Sequence, residues 1–575
     1  MPALLRLPAV LVLLGAACPR AQENVLVVLI DDWGTDNSAL YTTGTNPPPT
    51  PRIDALAAAG VTFDNAWVQT MCSPTRAMLM TGRHAFRTGV RYVVPAGADL
   101  APREITIPEH LRNAGLPHRH GAFGKWHLSD LVRGRTAPND AGFDRYAGMF
   151  YGVGDYYRWE RTVDGATNVE TTWATTKNVD DALAWIQGQS GPWFCWFAPF
   201  SAHSPFQAPP PSLHTQNLAG LDPAVTPRPF YRAMVEATDT ELGRLLDGLG
   251  PALANTHVIV LGDNGTPPEV VEPGLDPFHA KGSPYEPGVG VPLIVAGPAV
   301  QNPGRRVDAL VSGVDLFATV SDLLGAPAAP PFARNDGVSF APYLRDPATP
   351  PLRDTIFSEL AVPTGSGGTC GFTTIRDARY KLIRRTCTSG QLGEELFDLG
   401  NDPLETNDLL QSPLAPGAFA ALLRLGAEMD ALQDVSARFE RFGSATCSGS
   451  AGTPAMRSAG APRLGATYGV FVDRAPASAV AALLLGSSET SLGGVPLPFD
   501  LRAIGGGAGC ELLVSNEIVE ARLTSGAGIA SVSLALPDDP WLVGGTILHQ
   551  WLVLDASANR LGVTTSDALR AVLGR

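Results

Sequence analysis

The sequence predicts an α/β fold, a layered unit around a mostly parallel central sheet, followed by a smaller α+β subdomain and an appended all-β, sandwich-like domain. Three observations carry this. Short, almost wholly apolar runs at 24–30, 257–261 and 291–296 read as buried central strands. Helical patterns lie between them, at 53–59 and at 231–249, the latter with Leu242, Leu245, Leu246 and Leu249 on one face. After Gly443, Gly, Ala and Ser rise and short alternating strands follow one another, the pattern of a sandwich. A chain of 575 residues also exceeds what one hydrophobic core usually supports.

Taken in order, residues 1–21 read as an export signal. Arg6 precedes an apolar run at 7–14, and the small residues Gly15, Ala16 and Ala17 follow. Cleavage after Ala17 or Ala21 is expected, giving a periplasmic, cell-surface or extracellular protein. Lipid anchoring through Cys18 is disfavoured, because Gly15 stands where leucine is usual. No later run approaches the roughly 18–20 apolar residues of a membrane span. Residues 22–325 form the α/β unit, with the Pro/Ala-rich stretch 325–331 as the joint. The subdomain, 326–442, holds strands near 355–358, 372–375, 380–383 and 395–399 and a helix at 419–439. The β-rich domain, 443–575, has strands near 468–472, 480–485, 511–514 and 541–553.

The formal net charge of -14 argues against a nucleic-acid partner, which needs a basic footprint. It also means that attraction of a polyanion requires a local basic pocket. In an oxidising compartment Cys370 with Cys387, and Cys447 with Cys510, are expected to form disulfides. Cys195, in an apolar run, reads as a buried thiol. Cys72 is left unpaired among polar residues and reads as exposed.

Ligands of α/β folds bind at strand C-termini. Asp31-Asp32 follow the first strand and Asp263-Asn264 the second, so three carboxylates and an amide oxygen could meet over one sheet. Oxygen ligands favour a hard cation, Ca²⁺ before Mg²⁺. The segment Cys72-Ser73-Pro74-Thr75-Arg76 contains C-x-P-x-R and leads to Thr81-Gly82-Arg83. Further on come Gly124-Lys125-Trp126-His127, His203-Ser204-Pro205, and His279-Ala280-Lys281-Gly282. The run ends with Glu395-Leu396-Phe397-Asp398-Leu399, followed by Asp402-Pro403, Glu405 and Asn407. In order and in spacing these motifs resemble the type I sulfatases of the alkaline phosphatase superfamily, from about residue 24 to about 410.

The resemblance implies an alkaline-phosphatase-like sandwich that hydrolyses sulfate esters, with a sulfated carbohydrate as the leading substrate. It implies that a maturation enzyme oxidises Cys72 to formylglycine, with Pro74 and Arg76 completing the signal. The aldehyde hydrate supplies a hydroxyl nucleophile beside the metal, and its second hydroxyl later expels sulfate. Asp31, Asp32, Asp263, Asn264 and residue 72 are then the metal ligands. Arg76 and Lys125 hold the nucleophile, His127 is the base that releases sulfate, and His203 and Lys281 contact the sulfate and protonate the leaving oxygen, the division between those two left open. One departure stands out: Pro287 and Gly290 occupy places where the family has glycine and arginine. Two other readings compete, a phosphonate monoester or phosphodiester hydrolase of the same superfamily, and a catalytically silent glycan-binding protein. For the C-terminal domain, Trp541 and Trp551 are weighed as glycan platforms against a core role, and an aromatic loop, Tyr151, Tyr156, Tyr157 and Trp159, as a lining of the cleft.

Overall fold

The computed structural model describes residues 23–132, 134–327, 335–364, 368–433, 436–443 and 447–574. The export segment with Cys18, and most of the 325–331 joint, lie outside the described residues. Ten strands form the main sheet: β1 (Asn24–Ile30), β2 (Gly60–Trp67), β3 (Arg119–Lys125), β4 (Arg145–Met149), β5 (Trp159–Val163), β6 (Ala166–Glu170), β7 (Trp193–Ala198), β8 (Thr256–Gly262), β9 (Leu293–Ala296) and β10 (Arg305–Ser312). Their order is β10-β2-β9-β8-β1-β7-β3-β4-β5-β6. At its centre β8, β1, β7, β3 and β4 run parallel. Along β1, Val25, Val27 and Leu29 pack into one core while Leu26, Val28 and Ile30 pack into the core on the opposite face. Burial on both faces is why this strand reads as an unbroken apolar run.

The run expected at 291–296 departs in two ways. Its strand begins only at Leu293, and it lies antiparallel to both neighbours, β2 and β8. An apolar run reports burial and carries no direction.

A second, antiparallel sheet follows: β11 (Ile356–Pro363), β12 (Thr369–Arg376), β13 (Tyr380–Cys387) and β14 (Gly390–Asp398). The helix Pro416–Gln433 covers one face, setting Leu425 and Met429 against Phe357, Leu382 and Leu396. On the other face Leu360, Phe372, Ile383 and Phe397 meet Met71, Tyr92 and Tyr285 of the α/β unit. The sequence places this helix at 419–439, too late at both ends. Pro416 suits a helix start, and Arg438–Phe442 is a strand instead.

Residues 438–572 contribute a five-stranded and a three-stranded sheet that share one core, in which Val470 and Val472 face Leu483, Trp551 and Val553. The strand expected at 511–514 shortens to Glu511–Leu512, and that at 541–553 becomes a turn at Pro540–Leu542 followed by Thr546–Leu554. Gly544-Gly545 separate the two. Trp551 is fully buried core, and Trp541 lies beneath the Arg83 guanidinium of the α/β unit, 6.0 Å from ring centroid to Cζ. Arg103 and Asp539 pair at the same junction, 3.2 Å apart.

Disulfides join Cys370 to Cys387 across β12 and β13, and Cys447 to Cys510. The second closes a loop of 63 residues, which by chain entropy is worth about 4 kcal/mol. Replacing Cys447 and Cys510 by serine should therefore lower the unfolding free energy of the C-terminal domain by about that amount. Urea titration followed by tryptophan fluorescence measures it; an unchanged midpoint contradicts it.

Candidate active site

β1 and β8 pair in register to their last residues, Ile30 and Gly262, so the acidic pairs beyond them emerge side by side at one sheet edge. Asp32, with φ +57°, donates its N–H to Asp263 Oδ1 at 3.0 Å. Asn264 Nδ2 donates to Asp32 Oδ1 at 2.7 Å, which turns the amide oxygen the other way. That Asn264 Oδ1 is buried without a hydrogen-bond donor, and so is Asp31 Oδ1. Two such oxygens in an acidic cluster are what a hard cation would satisfy.

Cys72 opens the helix Cys72–Thr81, after extended Met71 and with Pro74 in the first turn. Gly82, at φ +67°, closes the helix in the left-handed conformation. The C-x-P-x-R spacing sets Cys72 and Arg76 four residues apart, on one helix face. Arg76 donates through Nε (3.1 Å) and Nη2 (2.9 Å) to Asp263 Oδ2, and through Nη1 to the Lys125 carbonyl at 2.7 Å. β3 brings Lys125 to the same edge, its Nζ 2.7 Å from Asp31 Oδ2. Lys281 Nζ donates to Asp32 Oδ1. Three buried carboxylates are thus matched by three buried or nearly buried cations. Cys72, 2% exposed, is not the exposed thiol its polar neighbours suggest. Thr75 and Arg76 turn their polar groups inward, Thr75 Oγ1 to the Gln69 carbonyl. Ligand atoms of Asp31, Cys72 and Asp263 lie within 4.8 Å of one another, as do those of Asp31, Asp32 and His203.

Burial opposes ionisation of Asp31, but Lys125, His203, Arg76 and Lys281 outweigh it and hold its carboxyl below the usual range. Burial raises the Cys72 thiol despite Lys125 and Lys281, so the residue as a thiol is a poor nucleophile. His127 is held well below its ordinary value by burial, then by Lys125 and Arg76, and is a neutral imidazole. Its Nε2 lies 2.8 Å from the Val94 carbonyl, which can only accept, so Nε2 carries the proton. Nδ1 is left as a buried lone pair with no partner. His203 is oriented in the opposite sense: Nδ1 donates to the Ser204 carbonyl at 2.6 Å, and Nε2 faces Asp32 at 3.9 Å.

Of the aromatic loop, Tyr156 and Trp159 are core. Tyr156 Oη, with one proton to share, lies 2.8 Å from the Phe200 carbonyl and 2.6 Å from the His203 carbonyl, and Tyr157 leans on Trp173. Tyr151 sets its ring edge-on to the His127 ring at 6.3 Å, while Tyr156 touches the site only through the His203 backbone. Gly290 and Pro287 line a separate cleft with Trp67 and Arg376, whose lining includes none of the acidic cluster. The sequence reading missed the walls of the cleft that opens over Lys281: Met71, Tyr92, Glu269, Leu360 and Val362. Only Glu269 carried a signal, its place on the turn just beyond Asp263-Asn264.

A family model described as Sulfatase matches residues 23–326, and one described as N-sulphoglucosamine sulphohydrolase, C-terminal, matches 276–426. Human arylsulfatase A is 27% identical over 470 residues, 71% of this chain and 88% of that protein. Human N-acetylgalactosamine-6-sulfatase is 30% identical over 370 residues, 58% of this chain and 67% of that protein. Mouse arylsulfatase J is 26% identical, and the chain spans about half of its length, 52%. Among solved structures, one in complex with its substrate D-glucosamine-2-N,6-O-disulfate superposes with TM-score 0.59 at 19% identity, covering 72% of this chain and 98% of that one. A sulfatase from Pseudoalteromonas sp. gives TM-score 0.57 at 21% identity, covering 72% and 91%. At these identities the structural likeness speaks for the fold.

Proposed function

Because this chain belongs to the sulfatase family, whose members are sulfuric ester hydrolases, we propose that it cleaves sulfate esters of a carbohydrate with a formylglycine at position 72 and a bound calcium ion. The observation that carries the reading is the pair of donor-less buried oxygens, Asp31 Oδ1 and Asn264 Oδ1, in a carboxylate cluster that also reaches Cys72. Asp31, Asp32, Asp263 and Asn264 would hold the ion. An all-oxygen set favours calcium over softer metals. When bound, the ion supplies positive charge for the nucleophile and for the sulfate oxygens. Oxidation of Cys72 to the aldehyde supplies, as its hydrate, the hydroxyl that attacks sulfur.

The remaining steps belong to the side chains. Three cations already balance the three carboxylates, so a divalent ion leaves the site with a net positive charge, suited to an anionic ester. Lys125 and Arg76 brace the nucleophile from beneath, and Lys281 reaches the sulfate from the cleft side. His203, with Nδ1–H held by the Ser204 carbonyl, can protonate the leaving oxygen only as the imidazolium, with a second proton on Nε2, a form that burial opposes and the facing Asp32 carboxylate favours. His127, neutral and with Nδ1 unpartnered, takes the proton whose removal frees sulfate. His127→Ala should then release a burst of about one alcohol per enzyme from nitrophenyl sulfate, followed by turnover slowed about 10²- to 10⁴-fold. Stopped-flow absorbance reads this; equal slowing of burst and steady state assigns His127 elsewhere.

Protein made alongside a formylglycine-generating enzyme should hydrolyse nitrophenyl sulfate much faster than phenyl phosphonate. A larger phosphonate rate reverses the assignment, and no turnover of either by matured protein points to a silent binding protein. Export of the chain, inferred from Arg6 and the apolar run after it, supports calcium as the ion, and finding the protein in a culture's cytosolic fraction would contradict it.

A further inference from the structure

The cleft over Lys281 has a volume of about 420 Å³, in the range of small-molecule sites, and it opens directly onto Asp32 and Lys281. The alcohol released from sulfur therefore lies in it, an inference that rests on the sulfatase reading above. Its lining is of two kinds. Met71, Tyr92, Leu360 and Val362 form the apolar seam where the second sheet meets the α/β unit. Pro267, Pro268 and Glu269 also line it.

Glu269 is exposed, and no cation among the described residues pairs with it. Its position is nonetheless fixed. The turn after β8 is tied down by Thr266, whose Oγ1 donates to Asp36 and whose carbonyl accepts from Lys281 N–H at 3.0 Å. Two prolines then lock φ, and Val270 N–H closes the turn on the Pro267 carbonyl at 3.1 Å. The backbone that carries Lys281 is thus clamped to the turn that carries Glu269. Apart from Lys281, which pairs with Asp32 and is assigned above to the sulfate, the lining of this cleft holds no cation, and the charge it leaves for the rest of the substrate is Glu269.

We propose that Glu269 is a specificity residue that restricts the leaving alcohol to groups without a second negative charge, so that the substrates are singly sulfated esters of neutral sugars or aryl alcohols rather than uronate-bearing or multiply sulfated ones. An apolar ring face stacks on Tyr92 and Met71, and Glu269 accepts from a hydroxyl. A carboxylate or second sulfate in the same place meets Glu269 with no counter-charge, a like-charge contact worth about tenfold at partly screened distances.

The test uses an isosteric pair, para-carbamoylphenyl sulfate and para-carboxyphenyl sulfate, with the full chain. The matured enzyme should favour the neutral ester about tenfold in kcat/KM, and Glu269→Gln should bring the ratio close to one while the melting temperature stays unchanged. Glu269→Lys should invert it. Calorimetric titration of both esters into the Cys72→Ala chain reads the same preference without chemistry. Failure of the matured enzyme to hydrolyse either ester, with the binding preference intact, sinks the sulfatase reading alone. Equal binding of the pair, or a preference that survives Glu269→Gln and Glu269→Lys, overturns the role given to Glu269.

Discussion

Alanine at position 72 is expected to lower turnover of nitrophenyl sulfate on the order of 10⁴-fold or more, with little loss of stability. The side chain removed is one sulfur atom at a helix start, worth about 1 kcal/mol of burial. The catalytic loss is large because nothing nearby can substitute: the other free cysteine described, Cys195, is buried in β7 within the core. Serine is the sharper probe. Its hydroxyl lies beside the same cations and can attack sulfur once, but it lacks the second hydroxyl that expels sulfate. Cys72→Ser should release about one equivalent of nitrophenol and stop. Sustained turnover by either variant, measured by nitrophenol absorbance, removes residue 72 from the chemistry.

Asp31→Asn should be nearly as damaging, by about 10³-fold or more in kcat, for two separable reasons. The substitution takes a negative charge from the ion's cradle, and it leaves Lys125 buried without its partner, a loss typically of about 3–5 kcal/mol. Calcium tells these apart. In the parent protein a concentration a hundred times its dissociation constant adds about 2.7 kcal/mol to stability, because only the folded state binds. In Asp31→Asn that increment should vanish, whatever the starting melting temperature. If calorimetric scans show the full calcium-dependent rise in the variant, Asp31 braces Lys125 and does not hold the ion.

Much of this site was legible in the sequence because its parts sit at predictable places. A parallel strand buried on both faces must read as a continuous apolar run, and the first polar residues after it, Asp31-Asp32 and Asp263-Asn264, mark its C-terminal edge. The register that seats the two pairs side by side is a tertiary fact, but neighbouring parallel strands make it a natural outcome. Burial of Cys72 was not legible. Ser73, Thr75 and Arg76 look like a solvated surface, and only the structure shows Arg76 turned toward Asp263 and Ser73 Oγ accepting from Val94 N–H at 3.1 Å. The direction of β9 was hidden for the reason that makes apolar runs easy to find, since hydrophobicity has no polarity along the chain. The walls of the leaving-group cleft come from residues far apart in sequence, such as Met71 and Val362, whose meeting depends on how the second sheet docks. Glu269 looks like any acidic turn residue until Lys281 is seen hydrogen-bonded to the same turn.

Mass spectrometry of the proteolytic peptide containing position 72, from protein produced with the maturation enzyme and assayed in the same preparation, decides whether the nucleophile is formylglycine. An aldehyde is expected in place of the thiol, in a fraction that tracks specific activity toward nitrophenyl sulfate. Full activity in a preparation whose Cys72 is entirely unmodified thiol would contradict it.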